Sequence, residues 1–181
     1  APKFLKKSYE SSVDKSYRSN ILENPNWPDE PDWKWTTTSN WYSQINDIVR
    51  TTIVCKYLDG PAFLANKLES LGKKYVLKPK IKSQGRDSGY YAQHFYAKQK
   101  IVLLDDKWQQ TEALVKFEIQ ITTQMQELLR ALSHTFYQEQ RLAQDQNDDW
   151  KWDHKSPRFR SSFMGHTLHL LEGTMLELRE Q

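Results

Sequence analysis

Apolar residues in this chain recur in short, spaced sets, and the clearest set is Phe117-Glu118-Ile119-Gln120-Ile121. Apolar and polar residues alternate there with the period of a strand, so Phe117, Ile119 and Ile121 point to one face and Glu118 and Gln120 to the other. That strand is expected over 113–122. The β-branched content of 50–57 predicts another strand, and 75–82 a third. Residues 90–97 and 100–104 read as two more, joined by a tight turn and followed by a turn at 105–109. Helices are expected where apolar positions recur three and four residues apart. One follows the turn Asp59-Gly60-Pro61, with Phe63, Leu64, Leu68 and Leu71. A second carries Met125, Leu128, Leu129, Leu132 and Phe136, and a last one Leu168, Leu171, Met175 and Leu178.

The first part of the chain is more polar. Residues 4–22 read as a basic helix crowded by Lys6, Lys7, Lys15 and Arg18. Pro25, Pro28 and Pro31 forbid regular structure over 24–35, and the tryptophans there are expected to pin the loop to the body. Ser39 is placed to cap a short helix with Trp41, Ile45 and Ile48. Residues 144–157 are polar and loop-like. Strands interrupted by helices predict an α+β domain with a mixed sheet. Its body is expected over 1–145, with 146–181 as a helical extension of the same domain.

With 38% hydrophobic residues and a mean hydropathy of −0.83, the chain reads as soluble. No apolar run approaches the roughly 20 residues that span a bilayer, and no apolar leader follows Lys6 and Lys7. The single cysteine, Cys55, excludes an internal disulfide and reads as a buried thiol. A cytoplasmic site of action is expected. The net charge of +3 does not announce a nucleic-acid binder. Even so, Lys73, Lys74, Lys78, Lys80, Lys82 and Arg86 cluster just before Gly89-Tyr90. Such a run is either a solvated strand edge or a phosphate contact, and its position favours the second.

The candidate chemistry lies in a few positions. Glu118 stands on its strand, and Asp47 stands in Asn46-Asp47-Ile48-Val49. Tyr90 and His94 follow Gly89, and Arg86 precedes Tyr90 by four residues. Lys7-Ser8-Tyr9-Glu10-Ser11-Ser12-Val13-Asp14-Lys15 opens the chain. Taken alone, these are a turn aspartate, an edge-strand glutamate, sheet aromatics and a solvated basic helix. Together, Gly89-Tyr90-x-x-x-His94 and Glu118-Ile119-Gln120 resemble the synthetase domain of the RelA/SpoT alarmone synthetases, over residues 4–140. The resemblance implies a nucleotidyltransferase-like mixed sheet flanked by helices. It implies an ATP-dependent pyrophosphokinase of the stringent response, making (p)ppGpp by transfer to the ribose 3′-hydroxyl of GDP or GTP.

By the same resemblance Asp47 ligates magnesium, and Glu118 is a second metal contact or the base on the acceptor hydroxyl. Tyr90 stacks on the acceptor base, while His94, Arg86 and Gln120 hold the acceptor. Lys7, Ser8, Ser11 and Lys15 match the ATP-binding segment in register. Leu5 replaces its leading arginine, and Thr122 an arginine after the Glu-Ile-Gln strand. His134 and Tyr137 resemble a family helix in which Leu132 replaces a glutamate. The resemblance leaves room for a toxin that pyrophosphorylates the 3′ end of tRNA, with an antitoxin partner, or for an inactive nucleotide-binding regulator. A homo-oligomer is compatible with it; a membrane partner is not expected.

Overall fold

A computed structural model describes residues 5–104, 108–132 and 148–181. The elements are β1 (Leu5–Lys6), α1 (Tyr9–Tyr17), α2 (Trp41–Gln44), β2 (Val49–Cys55), α3 (Gly60–Tyr75), β3 (Leu77–Gly85), β4 (Tyr91–Leu104), β5 (Gln110–Thr123), α4 (124–132) and α5 (Pro157–Glu180). The strands form one five-stranded mixed sheet in the order β1-β2-β5-β4-β3, as an α+β pattern requires. By contacts the chain gathers into two compact units. One comprises residues up to 52, 68–81 and 95–119, and the other 53–67, 82–94 and 120–181.

In the first unit the expected helix over 4–22 starts late. Leu5 and Lys6 pair antiparallel with Arg50 and Val49. The helix begins only at Ser8, whose hydroxyl accepts from the Ser11 N–H. A serine satisfies an orphan amide of the first turn and therefore marks where the helix starts. Asn40, not Ser39, precedes the short α2, and its side chain ties back to Thr37 and Trp35 instead of capping the helix. Ile45 and Ile48 lie beyond the end of α2 and are buried all the same. Trp27 and Trp35 pack edge to face at 6.2 Å within the proline-rich loop, and the Trp33 indole N–H, which donates to the Ser19 hydroxyl at 3.0 Å, ties that loop to the segment after α1. Phe95 and Phe117 meet on the apolar face of β4 and β5. Gly72 lets that face close, since a Cβ there would meet the Phe95 ring at 3.0 Å.

β4 is one continuous strand, not two joined by a turn. Ala97-Lys98-Gln99-Lys100 offers none of the Gly, Pro, Asn, Asp or Ser residues that reverse a chain. The first half of α3 and the helices α4 and α5, all in the second unit, show a consistent difference. α3 buries Ala65 and leaves Phe63 exposed. α4 buries Gln126 and Leu129 while Leu128 and Leu132 face solvent. α5, capped by Ser156 with Pro157 in its first turn, buries Ser162, Gly165 and Glu172 and exposes Leu171, Met175 and Leu178. Helical spacing located these helices, but it did not tell which side packs. Cys55 is buried, as expected. Phe136, His134 and Tyr137 lie outside the described residues, as do residues 105–107 of the turn expected over 105–109. Among the described residues no helix is long and apolar enough to cross a membrane.

Candidate active site

In the first unit, strand pairing and capping together assemble a charged cluster. The Lys7 N–H bonds the Ile48 carbonyl at 3.0 Å, which fixes Lys7 next to the segment that carries Asp47. Lys15 lies near the end of the Ser8-capped helix α1. Lys7 Nζ reaches Asp47 Oδ2 at 2.9 Å and Lys15 Nζ reaches Oδ1 at 2.6 Å. Burial alone would raise the Asp47 carboxyl, but the hydrogen bonds and charges of Lys15 and Lys7 outweigh it and bring it down to about 2. Ser8 and Ser11 bond each other at 3.1 Å at the helix N-terminus, where backbone N–H groups favour anions.

Two lysines missed by the sequence reading join this unit's charge. Lys116 donates to the Gln44 carbonyl. Its amine is held below the usual lysine range by burial first, then by the charges of Lys98 and Lys15. The signal was available, because Lys116 lies two residues before Glu118 on an alternating strand. Glu118 itself is 5% exposed on β5, the central strand. It is therefore not an edge-strand solvent residue.

The second unit carries the aromatic group. Gly89 sits at φ +74°, the left-handed region that glycine tolerates. It closes the turn in which its N–H bonds the Arg86 carbonyl at 2.8 Å. A Cβ on Gly89 would meet the Ser162 carbonyl oxygen at 2.5 Å, so the loop can lie flush on α5. The Ser162 hydroxyl and His166 Nε2 both bond the Asp87 carbonyl. Beyond this turn Tyr90 and His94 come together, with the phenol oxygen 3.0 Å from Nε2 and the rings at 90°. The Arg86 guanidinium lies 5.7 Å from the Tyr90 ring centroid. Arg130 of α4 was not foreseen. Its charge is stabilised by a two-pronged bond to Glu127. Only its helical spacing from Glu127 was visible beforehand.

Gln120 is half-buried on β5, two residues beyond Glu118. The Thr122 hydroxyl, at the position of the family's arginine, donates to the Tyr91 carbonyl. Leu5 is exposed on β1. Lys78, Lys80 and Lys82 are exposed on the edge strand β3, which is the solvated-edge arrangement, and of the basic run Arg86 is the member that reaches Tyr90.

Magnesium takes hard oxygen ligands. The donor chemistry fits, since Asp47 is an ionised carboxylate that already holds positive charge at both oxygens. Among the described residues no group of three or more His, Cys, Asp or Glu side chains could hold a metal by itself. Phosphate oxygens and water would have to complete such a shell.

No known protein family pattern matches the chain, and no curated protein matches it. Solved structures do. A GTP pyrophosphokinase family protein from Streptococcus pneumoniae is 16% identical, covers 99% of this chain and 75% of its own length, and aligns with a TM-score of 0.63. The small alarmone synthetases 1 and 2 from Bacillus subtilis are 18% and 20% identical, with TM-scores of 0.64 and 0.61. Each covers 99% of this chain, over 78% and 80% of their own lengths. The first of these synthetases has been solved with its product pppGpp and with AMPCPP. The chain therefore has the fold of the small alarmone synthetases.

Proposed function

We propose that the chain is an ATP-dependent pyrophosphokinase that acts on the ribose 3′-hydroxyl of a guanine nucleotide, GDP or GTP. The observation that carries the reading is Asp47 bracketed by Lys7 and Lys15. A metal-competent carboxylate among phosphate-competent ammonium groups is what a triphosphate donor needs. The fold, shared with a protein solved in complex with pppGpp and with AMPCPP, supports it.

Lys7, Lys15 and the Ser8–Ser11 helix start bind the ATP phosphates, turning the two ammonium groups from Asp47 to the incoming anion. Lys98 and Lys116 add positive charge to this unit. Asp47 would hold magnesium, which when bound neutralises charge on the transferred phosphates. Tyr90 offers its ring to the guanine base, while His94, Arg86 and Gln120 orient the nucleotide. The 3′-oxygen attacks the β-phosphorus of ATP. The bond from that phosphorus to the oxygen bridging the α-phosphate breaks, and AMP leaves. The hydroxyl proton passes to Glu118 as base. Positioning and charge neutralisation supply most of the acceleration in such transfers.

Incubation with ATP labelled in its β- and γ-phosphates and with GDP, GTP, AMP or tRNA tests the reading. Label on GDP or GTP with release of AMP is expected. Label on tRNA alone would move the chain to the toxin class, and no transfer to any acceptor would make it a nucleotide-binding regulator.

A further inference from the structure

We propose that the cavity between α5 and the β3–β4 sheet face is a second binding site, for a small organic cation with N–H donors, an alkyl ammonium or guanidinium. The cavity measures about 320 Å³ and lies within the second unit. Its lining includes Glu172 and His169 of α5, Tyr91 and Gln93 of β4, Thr123, and Leu58 on the apolar side. By strand alternation Tyr91 and Gln93 face away from His94, so this is not the acceptor group described above.

Among the described residues, two polar atoms in the lining have nothing to bond. Glu172 is 5% exposed, and its Oε2 has no hydrogen-bond partner. The same is true of His169 Nδ1, and the two atoms lie 4.0 Å apart. A single donor nitrogen about 2.8 Å from each would satisfy both. The Tyr91 ring, stacked on His169 at 3.6 Å with 4° between planes, fixes the direction in which that nitrogen points. Other polar lining groups have partners: Gln84 accepts from the Arg86 Nε–H, and the Tyr91 phenol bonds His166 Nδ1. Gln126 bonds the Tyr91 N–H and the Gly165 carbonyl, and Ser83 bonds Gln93. Thr123 bonds Glu172, on the carboxyl group whose Oε2 remains open.

Charge then selects the class of ligand. None of the thirteen lining residues is lysine or arginine, and the neighbouring Arg86 is engaged with Gln84 and the Tyr90 ring, so the lining itself offers an anion no counter-charge. A buried carboxylate without a cation is costly to ionise. Burial indeed pushes the Glu172 carboxyl up, with only the Thr123 bond opposing it. An ammonium or guanidinium group restores the ionised form, and its alkyl portion fits the Leu58, Pro61 and Ala62 side of the cavity.

The proposal does not rest on the catalytic reading, and its test reads binding alone. Agmatine and n-butylammonium are titrated into the full chain by calorimetry at matched ionic strength, with tetramethylammonium as a cation lacking N–H donors. Saturable binding of the first two is expected, with affinity at least about tenfold lower in Glu172→Gln, as loss of a charged hydrogen bond implies. Shifts of the Tyr91 and His169 ring protons in the wild-type protein locate the ligand even if the variant folds poorly. No saturation up to about 10 mM, well above the millimolar dissociation constant of a weak site, would overturn the proposal. So would equal affinity in Glu172→Gln, equal binding of tetramethylammonium, or saturation without ring-proton shifts.

Discussion

Asp47 is held by two ammonium groups, and this changes what its replacement does. Removing the carboxylate leaves Lys7 and Lys15 facing each other without a counter-charge. Asp47→Asn, which keeps the shape, is expected to abolish transfer because the hard ligand is gone. It should also cost about 2 kcal/mol of stability at pH 7, the order implied by a carboxyl near 2 against an unfolded value of about 3.9. A carboxylate lowered in the folded state contributes that stability above pH 4 and loses it as pH falls through about 2. Urea unfolding should therefore show the wild-type advantage shrinking between pH 4 and pH 2; a constant difference would contradict the assigned bridge. Glu118→Gln should lower turnover about 10²–10⁴-fold with ATP binding nearly unchanged, as loss of a general base implies. Weakened ATP binding at normal turnover would speak against that role. Tyr90→Ala should raise the Michaelis constant for the acceptor more than that for ATP, since a base–aromatic stack is worth roughly 1–3 kcal/mol. Tyr90→Phe should be milder, since it keeps the ring and loses the phenol that bonds His94. Equal effects on both substrates would identify Tyr90 as packing.

Among the elements, the loop before β4 is the most sensitive to a single atom. Gly89 and Gly165 approach so closely that a Cβ on Gly165 would meet the Gly89 carbonyl oxygen at 2.5 Å. Gly165→Ala should therefore push the Arg86–Tyr90 turn off α5 and raise the acceptor Michaelis constant, leaving that for ATP little changed. Equal changes in both constants would show that the turn does not position the acceptor residues. Gly89 was visible in the sequence because its motif includes it, whereas Gly165 was not, because its partner lies on another element. The same distinction runs through the fold. The β5 strand was readable from the alternation of residue type, although its burial does not alternate: Glu118 and Thr122 are buried along with Ile121. The packing sides of α4 and α5 were not, since both bury polar or small residues through partners remote in sequence: Gln126 bonds Tyr91 and Gly165, and Ser162 bonds Asp87. The β4 strand was misread as two because a run of lysine and glutamine looks like a turn from its polarity, while it lacks the residues that make one.

For the molecule as a whole, the acceptor class is a matter of charge distribution. A tRNA end brings a long polyanion, and binding through Lys78, Lys80, Lys82 and Arg86 would weaken steeply with salt by counterion release. With a net charge of +3 and those lysines spread on an edge strand, a shallow slope is expected, as for a mononucleotide. A steep slope that flattens when the four residues are neutralised would favour RNA. The central claim is tested most directly by following both products of one reaction, with ATP labelled in its β- and γ-phosphates, magnesium, and GDP or GTP. The account predicts one AMP released for each labelled guanine nucleotide formed, and neither product with Asp47→Asn. Release of ADP in place of AMP, or full activity in Asp47→Asn, would contradict it.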